Sequence, residues 1–213
     1  MIGFLADPAA FLAALVLKIP ALLLAVTVHE VAHAVVADRL GDPTPRAMGR
    51  ITLNPLPHID PFGAIAFVLA GFGWAKPVPV NAANLRHPRR DMAWVAAAGP
   101  ISNFLVAFLG LVLFVLARRS GLVGEPVGQA ILWIFQFNLA LGIFNLIPLP
   151  PLDGGHFLPY FLPPGASALL HSLEQFGPMI LLVLVMSGAT GYIVGPVFEA
   201  LTVAYIALVR LFL

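Results

Sequence analysis

Five long apolar segments and one short one alternate along this chain with polar stretches rich in glycine and proline. That alternation leaves lipid as the only solvent the chain can fold in. The first segment runs from about Phe11 to Ala37 and is long enough to cross the ~30 Å hydrocarbon core of a bilayer, with Pro20 placed to kink it. Others follow at about Met92–Ala117, Ala130–Leu149, Phe176–Ser187 and Tyr192–Leu213, and Gly188 to Gly191 between the last two reads as a turn or a kink. Of the 213 residues, 60% are hydrophobic and 10% charged, against roughly 25% charged in a soluble domain. The expected class is an all-α polytopic membrane protein with about five to six transmembrane segments, forming a single membrane-embedded domain over residues 1–213.

The short apolar piece, Ala64–Trp74, is too brief for an ordinary helical span and reads as a re-entrant or β-hairpin element between the first and second long helices. The run Phe72–Val80 reads as an extended strand, and Pro77 and Pro79, two apart, place their missing donors on one edge of it. The N-terminus lacks a basic region and an obvious cleavage site, so the first segment is expected to be retained as a span. Seven positive residues (Arg39, Arg46, Arg50, Lys76, Arg86, Arg89, Arg90) lie between the first and second long segments, and Arg118 and Arg119 follow the second. This bias places the 39–90 loop on the cytoplasmic side. A net charge of +1 and the absence of a basic face argue against a nucleic-acid partner. The lack of cysteine excludes disulfide scaffolds, thiol catalysis and Cys-based zinc sites.

The chemistry is concentrated in His29-Glu30-Val31-Ala32-His33. On a helix, residues i and i+4 sit about 40° apart in azimuth and about 6 Å apart in rise, so both imidazoles face one point. That arrangement suits zinc, with the intervening glutamate as general base toward a water. The motif lies within an apolar span, where each ionisable side chain costs roughly 2.5–3.5 kcal/mol on insertion scales, so three together without a function would be an expensive accident. A catalytic zinc usually takes three protein ligands. Candidates for the third are His58, Asp60, His87, Asp153, His156 and His171. Asp153 fits best. It follows Asn145-Leu146-Ile147-Pro148-Leu149-Pro150-Pro151-Leu152 at the end of an apolar span, where prolines force extended backbone and Gly154 and Gly155 permit close approach. If Ala64–Trp74 does not cross the membrane, the second long segment leaves and the third returns, and Asp153 arrives on the side of the histidines.

This combination resembles the site-2 protease family of intramembrane zinc metalloproteases, in its compact form without PDZ or CBS domains. The matching stretches are VHEVAH, GRITLNPLPHIDPFG, GFGWAKPVPVN, AAAGPISN and FNLIPLPPLDGG, covering most of residues 20–160. The resemblance implies one Zn2+ per chain held by His29, His33 and Asp153, with Glu30 as the base. It also implies that Asn145 lies close to the site, to hold substrate backbone or an oxyanion. Gly99-Pro100-Ile101-Ser102-Asn103 resembles the family's small-residue helix motif, which lets helices approach closely.

His58 and Asp60 read as a hydrogen-bonded loop rather than a second metal site. His156 is a candidate for a supporting contact behind the ligands, and Asn138 for the same role or for interhelical hydrogen bonding. Lys18 is expected to snorkel. The expected partners are a transmembrane protein or peptide substrate and the lipid bilayer. The expected location is a prokaryotic plasma membrane, in a multi-pass arrangement with the active site toward the cytoplasm. The competing reading is a non-catalytic metal-binding adaptor or transporter. Substrate identity and oligomeric state are not written in the sequence.

Overall fold

The computed structural model describes residues 8–70, 73–121, 123–163, 165, 167, 170 and 172–213. Helix α1 spans Pro8–Leu40 and passes through Pro20. A short helix, α2 (Thr44–Ala47), a 3-10 turn at Leu56–His58 and helix α3 (Pro61–Ala70) precede an extended segment. Helix α4 (Pro88–Ser120) and helix α5 (Glu125–Asn145) form a long hairpin. The short α6 (Asp153–Phe157), then α7 (Gly177–Met186) and α8 (Ala189–Phe212) complete the described helices.

Four of these helices are long and apolar enough to cross a bilayer: Leu15–Leu40 within α1, then α4, α5 and α8. The expectation of five to six spans exceeds what the described residues supply. The segment read as Phe176–Ser187 forms α7, whose 10 residues cover about 15 Å at helical rise, half a hydrocarbon core. Gly188, at φ 74°, occupies the left-handed region between α7 and α8, so this junction is a turn rather than a kink within one span. The short piece behaves as expected in length: α3 has 10 residues and cannot span. No β-hairpin accompanies it among the described residues. Gly71 and Phe72 lie outside them, and what remains of the predicted strand makes one antiparallel bridge, Ile59 to Ala75, with Lys76 N–H donating to His58 O at 2.9 Å. Two prolines in the next three residues remove the donors that would extend the ladder.

Contacts between helices fix their directions. His33 meets the carbonyl of Val95 and Asn103 meets that of Ala25, so α4 runs antiparallel to α1. Asn138 meets Asn103, Gly142 faces the Phe104 ring and Gly110 the backbone of Phe135, so α5 runs antiparallel to α4. Asn145 therefore ends on the same side as Leu40. Helix α8 runs from there to the far side: Val194 packs against the cluster formed by Ile147, Leu149 and Leu152, Tyr205 Oη donates to Phe104 O at 3.2 Å, and Arg119 reaches Leu213 O at the far end.

The core lies between α4, α5 and α8, where Ala107, Leu111, Phe135, Leu139, Ile143 and Val209 are buried together. Leu105, Leu109, Leu113 and Leu116 form an outward stripe on α4 and stay exposed, as lipid-facing residues do. The Lys18 Nζ lies 4.6 Å from the Trp133 ring centroid, a cation–π contact joining α1 to α5.

Candidate metal centre

His29 and His33 project from one face of α1 because they are four residues apart. They are buried against α4. Helix α4 can come this close because position 99 is glycine: a β-carbon there would overlap both imidazoles.

Hydrogen bonds place a proton on Nδ1 of both rings. Asn103 Nδ2 donates to Ala25 O at 3.0 Å and to Asn138 Oδ1 at 2.9 Å. Its Oδ1 is thus the atom that faces His29, and His29 Nδ1–H donates to it at 2.7 Å. Asn138 is oriented in turn by donating to Ile134 O at 2.8 Å. His33 Nδ1–H donates to Val95 O at 2.7 Å. With Nδ1 of each ring donating, each neutral imidazole presents its Nε2 lone pair, and the two Nε2 atoms are 3.0 Å apart.

A carboxylate joins them. Asp153 Oδ2 lies 3.1 Å from His29 Nε2 and 3.3 Å from His33 Nε2, and this oxygen is buried without a hydrogen-bond donor. Three electron-pair donors facing one another in a buried site need a cation between them. The three ligand atoms lie within 4.8 Å of one another, a group that can hold a metal ion. Tetrahedral zinc with ligands at ~2.0–2.1 Å places its ligand atoms about 3.3 Å apart, close to the separations found. Two imidazoles and a carboxylate, each imidazole tied through its other nitrogen, form a zinc-type donor set.

Glu30 is buried beside them, and its Oε2 accepts the Val78 N–H at 3.0 Å. A cavity of about 610 Å³ reaches His29 and Glu30 from the side of α3 and is lined by Val26, Phe67, Trp74 and Leu141 among others. A second, of about 330 Å³, reaches the same two residues past His33, Val78, Asp153 and His156. Asn145 and Pro151 border both. Asn145 Nδ2 donates to Leu141 O at 3.0 Å, which orients the amide at the cavity edge.

The remaining candidates separate clearly. His58 is fully buried, its Nε2–H donating to Thr52 O at 3.0 Å, and it holds the loop. Asp60 caps α3, its Oδ1 accepting the N–H groups of Phe62 and Gly63 at 2.9 and 3.0 Å. His87 precedes α4 and its N–H donates to Asp91 Oδ2 at 2.8 Å. His156 borders the smaller cavity and is exposed, and His171 lies outside the described residues. Sequence reasoning passed over Asn103 and the Val95 carbonyl. Asn103 carried a signal, a polar residue four positions after Gly99 and so on the same helical face; Val95 carried none, since every residue has a carbonyl.

A model of peptidase family M50 matches residues 18–131 and 117–187. The chain belongs to peptidase family M50. Among relatives, the protein named "Putative zinc metalloprotease YwhC" of Bacillus subtilis (strain 168) is 42% identical over 185 residues, 84% of each chain. "Putative zinc metalloprotease Rip2" of Mycolicibacterium smegmatis is 30% identical over 193 residues, 85% of this chain and 71% of that one. Its namesake in Mycobacterium tuberculosis (strain H37Rv) is 29% identical over 208 residues, 92% and 77% of the two chains. No solved structure matches. As an M50 member of the site-2 type, this multi-pass membrane protein is a zinc metalloprotease, and its donor set suits the metal.

Proposed function

We propose that this M50 peptidase hydrolyses peptide bonds within or next to the transmembrane segments of membrane proteins, in regulated intramembrane proteolysis. In this reading His29, His33 and Asp153 hold the zinc and Glu30 is the general base. The carrying observation is that Asp153 Oδ2 meets the Nε2 atoms of two histidines that project from a helix long and apolar enough to span a membrane. His29 and His33 lie eleven and seven residues before Leu40, the end of α1, about 10–16 Å inward at helical rise.

Bound zinc would supply a water of lowered pKa and polarise the scissile carbonyl. Glu30 takes a proton from the attacking water and passes it to the leaving amine. Asn145, with one amide hydrogen committed to Leu141 O, retains a second donor and its Oδ1 for substrate backbone or an oxyanion. His156 and Asn138 act behind these residues, Asn138 by orienting Asn103 against His29.

The substrate helix must unwind for its peptide bond to be reached, and the edge of the 73–80 segment is the proposed receptor, by β-augmentation. Across the bridge it is Lys76 N–H that bonds to His58 O, so the bonding groups of Ala75 point to the other edge. Gly73, Ala75 and Pro77 line the larger cavity, which supports entry from that side. The seven positive residues of the 39–90 stretch lie in the loop joining α1 to α4 and in the helix ends that flank it, at the metal-centre end, which favours an active site opening to the cytoplasm of a prokaryotic plasma membrane. Residues 1–213 are read as one catalytic domain.

The test is zinc per chain in purified wild type, Asp153→Ala and Glu30→Gln. About one zinc in wild type and Glu30→Gln, with much less in Asp153→Ala, is expected. A wild type that binds none after zinc is supplied would defeat this reading in favour of a non-catalytic adaptor. A wild type that binds zinc but cleaves no membrane substrate would leave the transporter.

A further inference from the structure

Arg50 is an unusual residue in this structure. Its side chain is almost wholly buried, at 4% exposure, yet no carboxylate lies within ion-pair distance of it among the described residues. Its NH2 group donates to Lys76 O at 2.5 Å and its NH1 group to Pro77 O at 3.0 Å. His58 steadies it. The Nε2–H of His58 is committed to Thr52 O, so Nδ1 is an acceptor, and it faces Arg50 NH2 at 3.4 Å. A buried guanidinium without an ion pair is costly. Holding two carbonyls requires donors but no charge, so a neutral amide would serve if architecture were the only need. Burial pushes the Arg50 guanidinium below its usual value, and the charge it senses in opposition is Glu30.

The connection runs through one peptide group. The C=O of Pro77 and the N–H of Val78 belong to the same trans unit and point in opposite directions. Arg50 holds the oxygen end and Glu30 Oε2 receives the hydrogen end, at 3.0 Å on each side. Pro77 and Pro79 flank Val78 and carry no N–H, so Val78 supplies the sole backbone donor of this three-residue stretch. A cation on the carbonyl polarises the amide and strengthens the bond it donates.

We propose that Arg50 is a positioning residue for Glu30, acting through the Pro77–Val78 peptide group, which fixes one carboxylate oxygen and leaves the other free toward the cleft. The inference rests on Glu30 being the base, as proposed above. It gives the GRITLNPLPHIDPFG stretch a catalytic purpose beyond loop structure, with His58 holding Arg50 and Arg50 holding the peptide.

The test uses the full chain in detergent and in vesicles, with Arg50→Gln, Arg50→Lys and Glu30→Gln variants. The first readout needs no substrate: amide hydrogen exchange over residues 74–80, with zinc per chain measured on the same samples. Val78 exchange should rise about tenfold or more in both Arg50→Gln and Glu30→Gln, with zinc content unchanged. The second readout is turnover of a fluorescent single-span helical peptide reconstituted with the protein. Arg50→Gln should lower kcat by roughly ten- to a hundredfold with KM within about twofold, and Arg50→Lys should recover part of that loss. Unchanged Val78 exchange in Arg50→Gln would overturn the proposal, as would loss of zinc together with activity, which would make Arg50 structural. If wild type does not cleave the peptide, the function reading has failed on its own evidence, and the exchange data still decide whether Arg50 holds Glu30.

Discussion

Replacing Gly99 by alanine is the smallest change that should damage the metal centre, and its effect can be worked from the packing. A β-carbon built at Gly99 lies against His33 Nε2, 2.5 Å from His29 Cε1 and 2.7 Å from His29 Nε2. Ordinary van der Waals contact begins at 3.4 Å, so the imidazoles or the two helices must shift by at least about 0.9 Å, against a tolerance near 0.2 Å for a metal–ligand distance. Neither ring can swing freely. His29 is tied to Asn103 and His33 to Val95 O, and moving α4 away would break those bonds. We expect zinc affinity to fall by about ten- to a hundredfold, a loss of about 1.4–2.8 kcal/mol. Alanine is otherwise favoured over glycine in a helix by about 1 kcal/mol, so helical content should not fall. The assay is zinc retained per chain after equilibration in a series of zinc buffers, with circular dichroism on the same samples. A Gly99→Ala protein that holds zinc as tightly as wild type would refute the close approach of α4 to the two rings.

Two further outcomes test the surroundings. Asn103→Leu removes the acceptor of His29 Nδ1–H and the donors to Ala25 O and Asn138 Oδ1; it should cost about 1–3 kcal/mol of stability and weaken zinc binding in the same titration, and an unchanged melting temperature and affinity would show the network to be idle. Ala75→Pro deletes an amide donor on the edge facing the larger cavity, and Val78→Asp sets a charge beside Glu30. Both should cut cleavage of a single-span peptide at constant zinc content, and unimpaired cleavage by both would rule out substrate pairing on that edge.

The sequence and the structure agree most where the signal was local or topological. His29 and His33 were legible because helical periodicity alone puts positions i and i+4 on one face. Asp153 was legible because α3 is too short to cross, so the chain had to bring the end of α5 back to the histidine side. The span count was less legible. Hydropathy reads the composition of Phe176–Ser187 and not its path, and the left-handed residue at Gly188 divides the region into a ten-residue α7 and the spanning α8. The expected hairpin also fell short, to a single bridge at Ala75.

What the sequence by itself determined is the solvent, the zinc-type motif, the glutamate beside it and the side on which the third donor arrives. These follow from composition, from the 3.6-residue period and from the order of spans, all properties of the chain read one segment at a time. Only the tertiary structure decided how the donors are held. Asn103 and Val95 O set both imidazole tautomers, Gly99 sets the distance between α1 and α4, and Arg50 meets Glu30 across the Pro77–Val78 peptide. Each of those contacts joins residues far apart in the chain, several through backbone groups that every residue possesses, so no residue type marks them before the helices are packed.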